Sequence, residues 1–349
     1  MKGELRKLFG WHAGPLDWGP AIIAGLGCAL PLLLGLLSGH PGFLWASVGA
    51  FLAAQSNPLH RFGMLRLLIL TLFGACSAGL GFWAASNALP SLMLFAAYGF
   101  LLAWLQRFGT EAGKLGLGMI VCLCLGHGQQ GVSGLNNPDA VAALFMLGGL
   151  WVALLAFGLR GLHGLRMWPY MPRLVAVFKV LRRYARRLPE QRWRLHALGC
   201  TLGCASAGLI VQLAGLQRGY WLTLALIATL QLENRGSLAR ALQASMISLA
   251  AALALIYLGY SLQSPAAMVA TILPLIVISR ALQARHYGLF VVQVGLSFVL
   301  LAESLAMDWQ QPQLRLLNSL IGVFLALLIA LLLHGLEQRL KLAEPPRHP

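Results

Sequence analysis

The chain has 349 residues, of which 58% are hydrophobic and only 10% charged, with a mean hydropathy of +0.74. Soluble domains carry about 25% charged residues, so this composition excludes an ordinary soluble enzyme and a disordered chain. The net charge of +16 does not indicate nucleic-acid binding, because the Lys and Arg residues stand in short loops between apolar runs. The runs predict an all-α integral membrane protein.

Twelve apolar segments are predicted to span the membrane. In chain order they cover residues 20–37, 42–55, 64–86, 88–105, 115–128, 140–160, 196–214, 219–232, 238–260, 266–279, 286–306 and 314–335. The second, fifth, eighth and tenth are shorter than the roughly 20 residues that a straight span needs, so we expect tilted helices or half-helices there. The first follows basic residues but lacks a cleavage site, and we expect it to remain an uncleaved span.

The distribution of positive charge supports this number of spans. With the N-terminus in the cytoplasm, 24 of the 26 Lys and Arg residues fall in cytoplasmic segments, and only Arg218 and Arg315 fall outside. Such an asymmetry is typical of the positive-inside rule. A missing or extra span would disturb the alternation, so the pattern favours twelve spans with cytoplasmic N- and C-termini.

The two halves of the chain repeat each other. Gly148 aligns with Gly322, and the segment around Trp45 aligns with the segment around Trp221. Because each half has an even number of spans, we expect two parallel six-helix repeats related by a pseudo-two-fold axis along the membrane normal. The predicted domains are a first membrane repeat at 1–160, a basic cytoplasmic linker at 161–195, a second membrane repeat at 196–336 and a cytoplasmic tail at 337–349.

The predicted linker is the one long polar segment. Its many Arg and Lys residues are interleaved with apolar residues at helical spacing between Leu174 and Leu188. Two interpretations stay open at this point. The segment is either a basic helix lying on an anionic lipid surface or a solvated loop that follows the positive-inside rule.

Short motifs in the second half carry a family resemblance. They read RGYWLT at 218–223, LQ at 230–231, SLARALQ at 237–243 and LRLLNSLIG at 314–322. These blocks resemble the fusaric acid resistance protein-like / aromatic acid exporter family. The chain looks like a compact member, because it lacks the large cytoplasmic domains of longer members. It also has Asn318 where the family often has Asp.

The resemblance implies secondary active export of small organic anions, often aromatic carboxylates, across the bacterial inner membrane. It further implies contact with membrane lipid and a periplasmic adaptor protein, with no cofactor; it leaves the oligomeric state open. The six-helix unit is also similar to plant malate-type anion channels, so a passive organic-anion channel stays open, as does a non-transporting envelope scaffold. Zinc-protease, phosphate-loop and nucleophile-elbow motifs are missing from the sequence, so we expect no catalytic residues and no enzyme.

Four cations are candidates for anion binding. Arg107 and Lys114 flank the loop between the fourth and fifth spans, and Arg280 and Arg285 occupy the matching loop of the second half. At the inner end of a transport path they would attract an anion and bind its carboxylate. The positive-inside rule alone also accounts for these charges.

Aromatic and amide side chains are the other candidates. Trp45 and Trp221, with Tyr220, are placed to stack a substrate ring or to form an interfacial aromatic belt. Gln55 and Gln231 end their apolar spans, where they bind substrate or link helices. Glu303 follows an apolar run and is the candidate for proton coupling. We expect no metal site, and the six cysteines are predicted to be small packing residues.

Overall fold

The computed structural model describes residues 16–56, 63–130, 134–166, 185, 190–230, 264–283, 285, 287–306 and 312–339. Regular secondary structure in these ranges is helical. It comprises eleven helices: α1 (Trp18–Ser38), α2 (Pro41–Ala54), α3 (Gly63–Ala84), α4 (Ala88–Gln106), α5 (Thr110–Gly128), α6 (Pro138–Arg166), α7 (Glu190–Leu213), α8 (Tyr220–Thr229), α9 (Pro265–Leu282), α10 (Tyr287–Ala306) and α11 (Pro312–Arg339).

Each described helix overlaps one of the predicted spans, and the ninth predicted span, 238–260, lies outside the described residues. Six of the described helices, α1, α3, α4, α6, α7 and α11, are long and apolar enough to cross a membrane. Helices α2, with 14 residues, and α8, with 10, are shorter. The chain is therefore an α-helical, multi-pass membrane protein.

Large apolar side chains stand exposed along the longest helices. Leu154 and Phe157 on α6, and Phe324 and Leu332 on α11, each expose more than half of their surface. Contiguous apolar surface of this kind is unfavourable in water but favourable in lipid hydrocarbon. These faces place the protein in contact with membrane lipid.

The helices belong to two compact units. Unit 1 combines residues 1–83, 129–171 and 254–312, and it contains α1, α2, α3, α6, α9 and α10. Unit 2 combines residues 84–128, 172–253 and 313–349, and it contains α4, α5, α7, α8 and α11. Each unit takes helices from both predicted repeats: α9 and α10 join helices of the first half, and α4 and α5 join helices of the second.

In unit 1, α2 packs against α1, α6 and α10, and α9 packs against α1 and α10. Helix α1 ends at Gly39, whose φ of 66° reverses the chain, and the His40 imidazole caps α2 by accepting from the Gly42 N–H at 3.1 Å. Helix α9 runs antiparallel to α1, because the Asp17 N–H donates to the Ala281 carbonyl at 3.2 Å. Helix α10 begins five residues after the end of α9 and packs against it, so α10 runs antiparallel to α9. Because α2 and α9 are both antiparallel to α1, α10 is also antiparallel to α2.

In unit 2, α4 packs along α7, and α8 packs against both α5 and α7. The Tyr220 ring lies on the backbone of Gly128 at the end of α5. The turn before α8 includes Arg218, a non-glycine residue with a φ of 55°. Asn318 of α11 holds this turn, since its Nδ2 donates to the carbonyls of Gln217 at 2.9 Å and Arg218 at 3.2 Å.

A close helix crossing of the same kind occurs within each unit. A Cβ added to Gly148 of α6 would collide with the Ala46 carbonyl oxygen of α2, and a Cβ added to Gly322 of α11 would collide with the Leu222 carbonyl oxygen of α8. In both units the carbonyl belongs to the residue after a tryptophan, Trp45 or Trp221. Only glycine permits backbones to approach this closely.

Candidate functional site

Unit 1 contains a fully buried arginine near the end of α9. Arg280 has no solvent-exposed surface, and its Nη1 donates to the Gln283 Oε1 at 2.6 Å. Its Nε and Nη2 are buried, with no hydrogen-bond partner among the described residues. These two donors share one edge of the guanidinium plane, the edge that grips a carboxylate through two parallel hydrogen bonds. A buried cation with a free binding edge is costly unless an anion occupies it.

Among the described residues, an aromatic ring and a carboxylate lie near Arg280. The Cζ of Arg280 lies 5.9 Å from the centroid of the Phe290 ring on α10, which is within the range of a cation–π contact. Asp17, at the start of α1, is exposed and attracts the guanidinium electrostatically without forming an ion pair within 4 Å. The site therefore combines a positive edge, an aromatic ring and a nearby carboxylate that does not neutralise the cation directly.

Buried amides with unpaired atoms also occur in unit 1, after the end of α2 and on α10. Gln55 follows the last residue of α2, and neither its Nε2 nor its Oε1 has a hydrogen-bond partner within the described ranges. Gln293, one turn after Phe290 on α10, has a buried Oε1 that is likewise unpaired there. Buried polar groups normally pair, so unpaired ones indicate places for water or a ligand.

The predicted aromatic residues lie in different units. Trp45 is fully buried in unit 1, and its indole N–H has no partner in the described part of the chain. Tyr220 and Trp221 are buried in unit 2, with their ring centroids 4.9 Å apart and their planes inclined by 38°. Both tryptophans therefore sit inside the protein beside the glycine crossings, where they are shielded from the lipid interface.

Arg107 differs from Arg280, its predicted counterpart. Its guanidinium stacks on the Trp193 ring, 4.6 Å from the centroid, and its Nε donates to the Ala185 carbonyl at 3.2 Å. The Trp193 indole in turn donates to the Ala103 carbonyl at 3.1 Å. Arg107 thus joins the end of α4 to the chain that leads into α7, in the manner of a structural residue.

The remaining predicted cations and polar residues are spread over several places. Lys114 is exposed and pairs with Glu111 at 3.0 Å, the salt bridge expected of an ordinary surface residue. Arg285 is half-buried between α9 and α10. Gln231 lies outside the described residues, as does the side chain of Glu303. Arg107 and Lys114 belong to unit 2, whereas Arg280 and Arg285 belong to unit 1.

Two buried histidines of unit 2 hold polar networks that sequence reasoning missed. The Nε2 of His127 lies 2.9 Å from the Ser91 hydroxyl and 3.1 Å from the Gln212 amide nitrogen, which also donates to the Ala85 carbonyl at 2.9 Å.

The second of these histidines is His196, whose Nε2 lies 2.7 Å from the Gln106 Oε1. The available signal was a polar residue inside an apolar run, which does not reveal its partner.

Metal and thiol chemistry have little support within the described ranges. No group of three His, Cys, Asp or Glu residues there is arranged to hold a metal ion. The six cysteines lie in the described ranges and none of them forms a disulfide; five of them are buried. Buried cysteines outside disulfides behave as small apolar packing residues.

The second half of the chain matches a known family model. Residues 204–329 match the family model described as fusaric acid resistance protein-like. The match runs from α7 into α11, and it confirms the resemblance predicted from the motifs at 218–223 and 314–322. It indicates a membrane transporter of the efflux type and favours a non-enzymatic role. No curated protein and no solved structure matches the chain significantly.

Proposed function

We propose that this protein exports small organic anions, with aromatic carboxylates as the substrate class, across the bacterial inner membrane. One observation carries the proposal: the free Nε–Nη2 edge of the buried Arg280. That edge matches a carboxylate in charge and geometry. Phe290 offers a ring beside it, and the buried amide of Gln55 follows α2, which packs against α10, the helix of Phe290.

The proposal assigns different tasks to the predicted cations. Arg280 binds the carboxylate, because its Nε and Nη2 have no partner among the described residues. Arg285 and Lys114 add positive charge that attracts anions from solution. Arg107 is already held by Trp193 and Ala185, so we assign it a supporting role.

The proposed architecture is two parallel six-helix repeats, with both termini in the cytoplasm. The matching crossings, Gly148 on Ala46 and Gly322 on Leu222, support this repeat because they join corresponding helices of each half. The assignment of 1–160 and 196–336 as repeats, with a basic linker between them, remains part of the proposal. A periplasmic adaptor and the tryptophans and Gln231 as substrate contacts also stay with it.

The driving force follows from the charge of the substrate. A negative-inside potential favours anion exit by about 2.3 kcal/mol per charge per 100 mV. We assign proton coupling, where present, to Glu303, the one carboxylate predicted at the end of the α10 span. Collapsing the pH gradient and the potential separately distinguishes proton-coupled export from passive flow through a channel.

The test is uptake of a labelled hydroxybenzoate into everted membrane vesicles. A hydrogen bond to a charged group contributes about 1.5–3 kcal/mol, so we expect Arg280→Gln to weaken apparent affinity by about 10- to 100-fold. Thermal stability should hold or rise, because the substitution removes a buried unpaired charge.

Arg194→Gln is the matched control for this test. Arg194 is exposed and pairs with Glu190 one turn away, at 2.7 Å, so its loss should leave uptake unchanged. Arg280→Lys keeps the charge but loses the two-donor edge, so its apparent affinity should lie between those of the wild type and Arg280→Gln. Equal uptake by the wild type and Arg280→Gln would overturn the proposed site. If no organic anion is taken up, the alternative function, a non-transporting envelope scaffold, is favoured.

A further inference from the structure

Along the contact between α2 and α10 in unit 1, a pair of aromatic residues stands between polar residues. We define the α2–α10 seam by Ser47 and Phe51 on α2, Gln55 directly after its end, and Phe298 and Ala302 on α10. The first three residues follow each other at four-residue spacing, and Gln55 keeps a helical backbone, so they share one face of the helix. The Phe51 and Phe298 rings meet across the seam with their centroids 6.4 Å apart, which fixes the register of the two helices.

The antiparallel register places the other seam residues. One turn beyond Phe51 toward the end of α2, Gln55 lies level with the turn before Phe298. One turn in the opposite direction, Ser47 lies level with Ala302. The carbonyl of Ala302 accepts a hydrogen bond from the Gln129 Nε2 at 3.1 Å. Arg280 contacts Phe290, two turns before Phe298 on α10, so it stands beyond Gln55.

Unpaired polar atoms therefore lie on both sides of the aromatic pair. On one side are both amide atoms of Gln55 and the Nε and Nη2 of Arg280. On the other side are the Ser47 hydroxyl and the Oε1 of Gln129, from residues that are 0% and 1% exposed. All of these atoms lack hydrogen-bond partners among the described residues. Phe51, 1% exposed, and Phe298 are the apolar residues between them.

We infer that Phe51 and Phe298 form a hydrophobic gate between two polar positions on the anion path. The inference rests on the transport function proposed above and adds to it the place where passage is closed. Unpaired buried polar groups are where a polar substrate or water would bind in passing, and an aromatic constriction excludes water and the ions that need it. Gly295 lies one turn before Phe298 on α10, and a Cβ built there would meet no neighbouring helix of the described residues within 4 Å.

The first test measures passive anion flux with no pH gradient or potential. We expect Phe51→Asn and Phe298→Asn to raise passive flux severalfold, because an amide hydrates the constriction. Phe82→Asn is the matched control, since Phe82 is a phenylalanine of unit 1 that is 2% exposed and lies off the seam, on α3. Flux through the Phe51 and Phe298 variants that equals the Phe82→Asn value would overturn the gate.

The second test needs no substrate, so it separates failure of the gate from failure of the transport assignment. Ser47→Cys and Gln55→Cys are treated with a charged, membrane-impermeant thiol reagent applied to each side of the membrane. The labelling of the six native cysteines, measured on the chain without either substitution, is subtracted. With Phe51 intact, the two cysteines should react from opposite sides, and with Phe51→Asn each should react from both. Reaction of both cysteines from the same side with Phe51 intact, or no reaction of either, would overturn the inference.

Discussion

Arg280 and Arg107 occupy corresponding places in the predicted repeats, yet their guanidinium groups meet different surroundings. Two buried donors of Arg280 have no partner in the described part of the chain, whereas Arg107 is held between an indole ring and a backbone carbonyl. An unpaired buried cation destabilises a fold, while a stacked and hydrogen-bonded cation contributes to it. This difference is the basis for proposing Arg280 as the binding residue and Arg107 as a supporting one.

This difference predicts opposite effects of the same substitution. Arg107→Gln removes the contact with Trp193 and the hydrogen bond to Ala185, and we expect it to lower stability by about 1–2 kcal/mol. Apparent affinity for the anion should stay within about twofold of the wild type, because no binding contact is lost. Thermal unfolding in detergent and the concentration dependence of uptake measure the two effects. A larger affinity loss in Arg107→Gln than in Arg280→Gln would reverse the assignment.

Asn318 supplies a second residue-scale prediction. Its Nδ2 donates to two carbonyls, those of Gln217 and Arg218, and a carboxylate has no hydrogen to donate. In Asn318→Asp, a negative oxygen would face two carbonyl oxygens at the strained turn before α8. We expect a loss of about 1–3 kcal/mol in stability, measured by thermal unfolding in detergent.

Asn87→Asp provides the comparison for this variant. Asn87 is exposed at the start of α4, where Asp is as good a helix-capping residue as Asn. Its melting temperature should match that of the wild type. If the two Asp variants unfold at the same temperature, the Asn318 side chain does not stabilise the turn.

At the scale of helices, the glycine crossings predict where added volume is not tolerated. Gly148→Ala on α6 and Gly322→Ala on α11 would place a methyl group against a backbone oxygen, which cannot move aside as a side chain does. Overpacking of this kind costs about 1–3 kcal/mol. The helices supply their own controls, Gly158 on α6 and Gly335 on α11, where a built Cβ meets nothing within 4 Å among the described residues.

Melting temperatures in detergent decide this comparison. Gly158→Ala and Gly335→Ala should leave stability unchanged or raise it slightly, since alanine favours the helix by about 1 kcal/mol over glycine. Equal destabilisation by all four variants would show that the crossings are no tighter than the rest of the helices. Destabilisation by only one member of Gly148 and Gly322 would argue against matching crossings in the two halves.

The positions of the described helices were predictable from sequence, whereas several of their ends were not. Apolar runs identify segments that prefer lipid, so they located all eleven described helices. The runs stop where lipid stops, but helices continue into water. Helix α6 extends to Arg166, beyond the predicted end at 160, and α7 begins at Glu190, ahead of the predicted start at 196. Arg, Glu and Gln are good helix formers and carry these helices past the hydrophobic boundary.

The packing of the helices and the state of each candidate residue were beyond sequence reasoning. In a membrane, faces toward lipid and faces toward protein are both apolar, so periodicity does not reveal that α9 and α10 join helices of the first half. The positive-inside pattern gave Arg107 and Arg280 equal weight. Only tertiary contacts distinguish them, because Trp193 reaches one guanidinium and no donor or acceptor of the described residues reaches the free edge of the other.

At the scale of the whole molecule, the direction of the chain constrains the number of membrane crossings. If each helix from α1 to α8 crosses once, Leu230 at the end of α8 falls on the side where α1 begins. The hydrogen bond from the Asp17 N–H to the Ala281 carbonyl places the end of α9 on that same side. Helix α9 then begins on the opposite side. An odd number of crossings must lie between Leu230 and Ser264.

This parity predicts that the span expected at 238–260 crosses the membrane once, and reporter fusions test it. Fluorescent protein fused after Arg235 should be active as a cytoplasmic reporter, and alkaline phosphatase fused after Ser261 should be active as an external one. Fusions after Gly109 and Gly134, which flank α5, give the reference pattern for one crossing. Reporters after Arg235 and Ser261 on the same side would remove the ninth span. The chain would then have eleven crossings, its two ends on opposite sides of the membrane and the parallel repeat excluded, because one half would hold an odd number of spans.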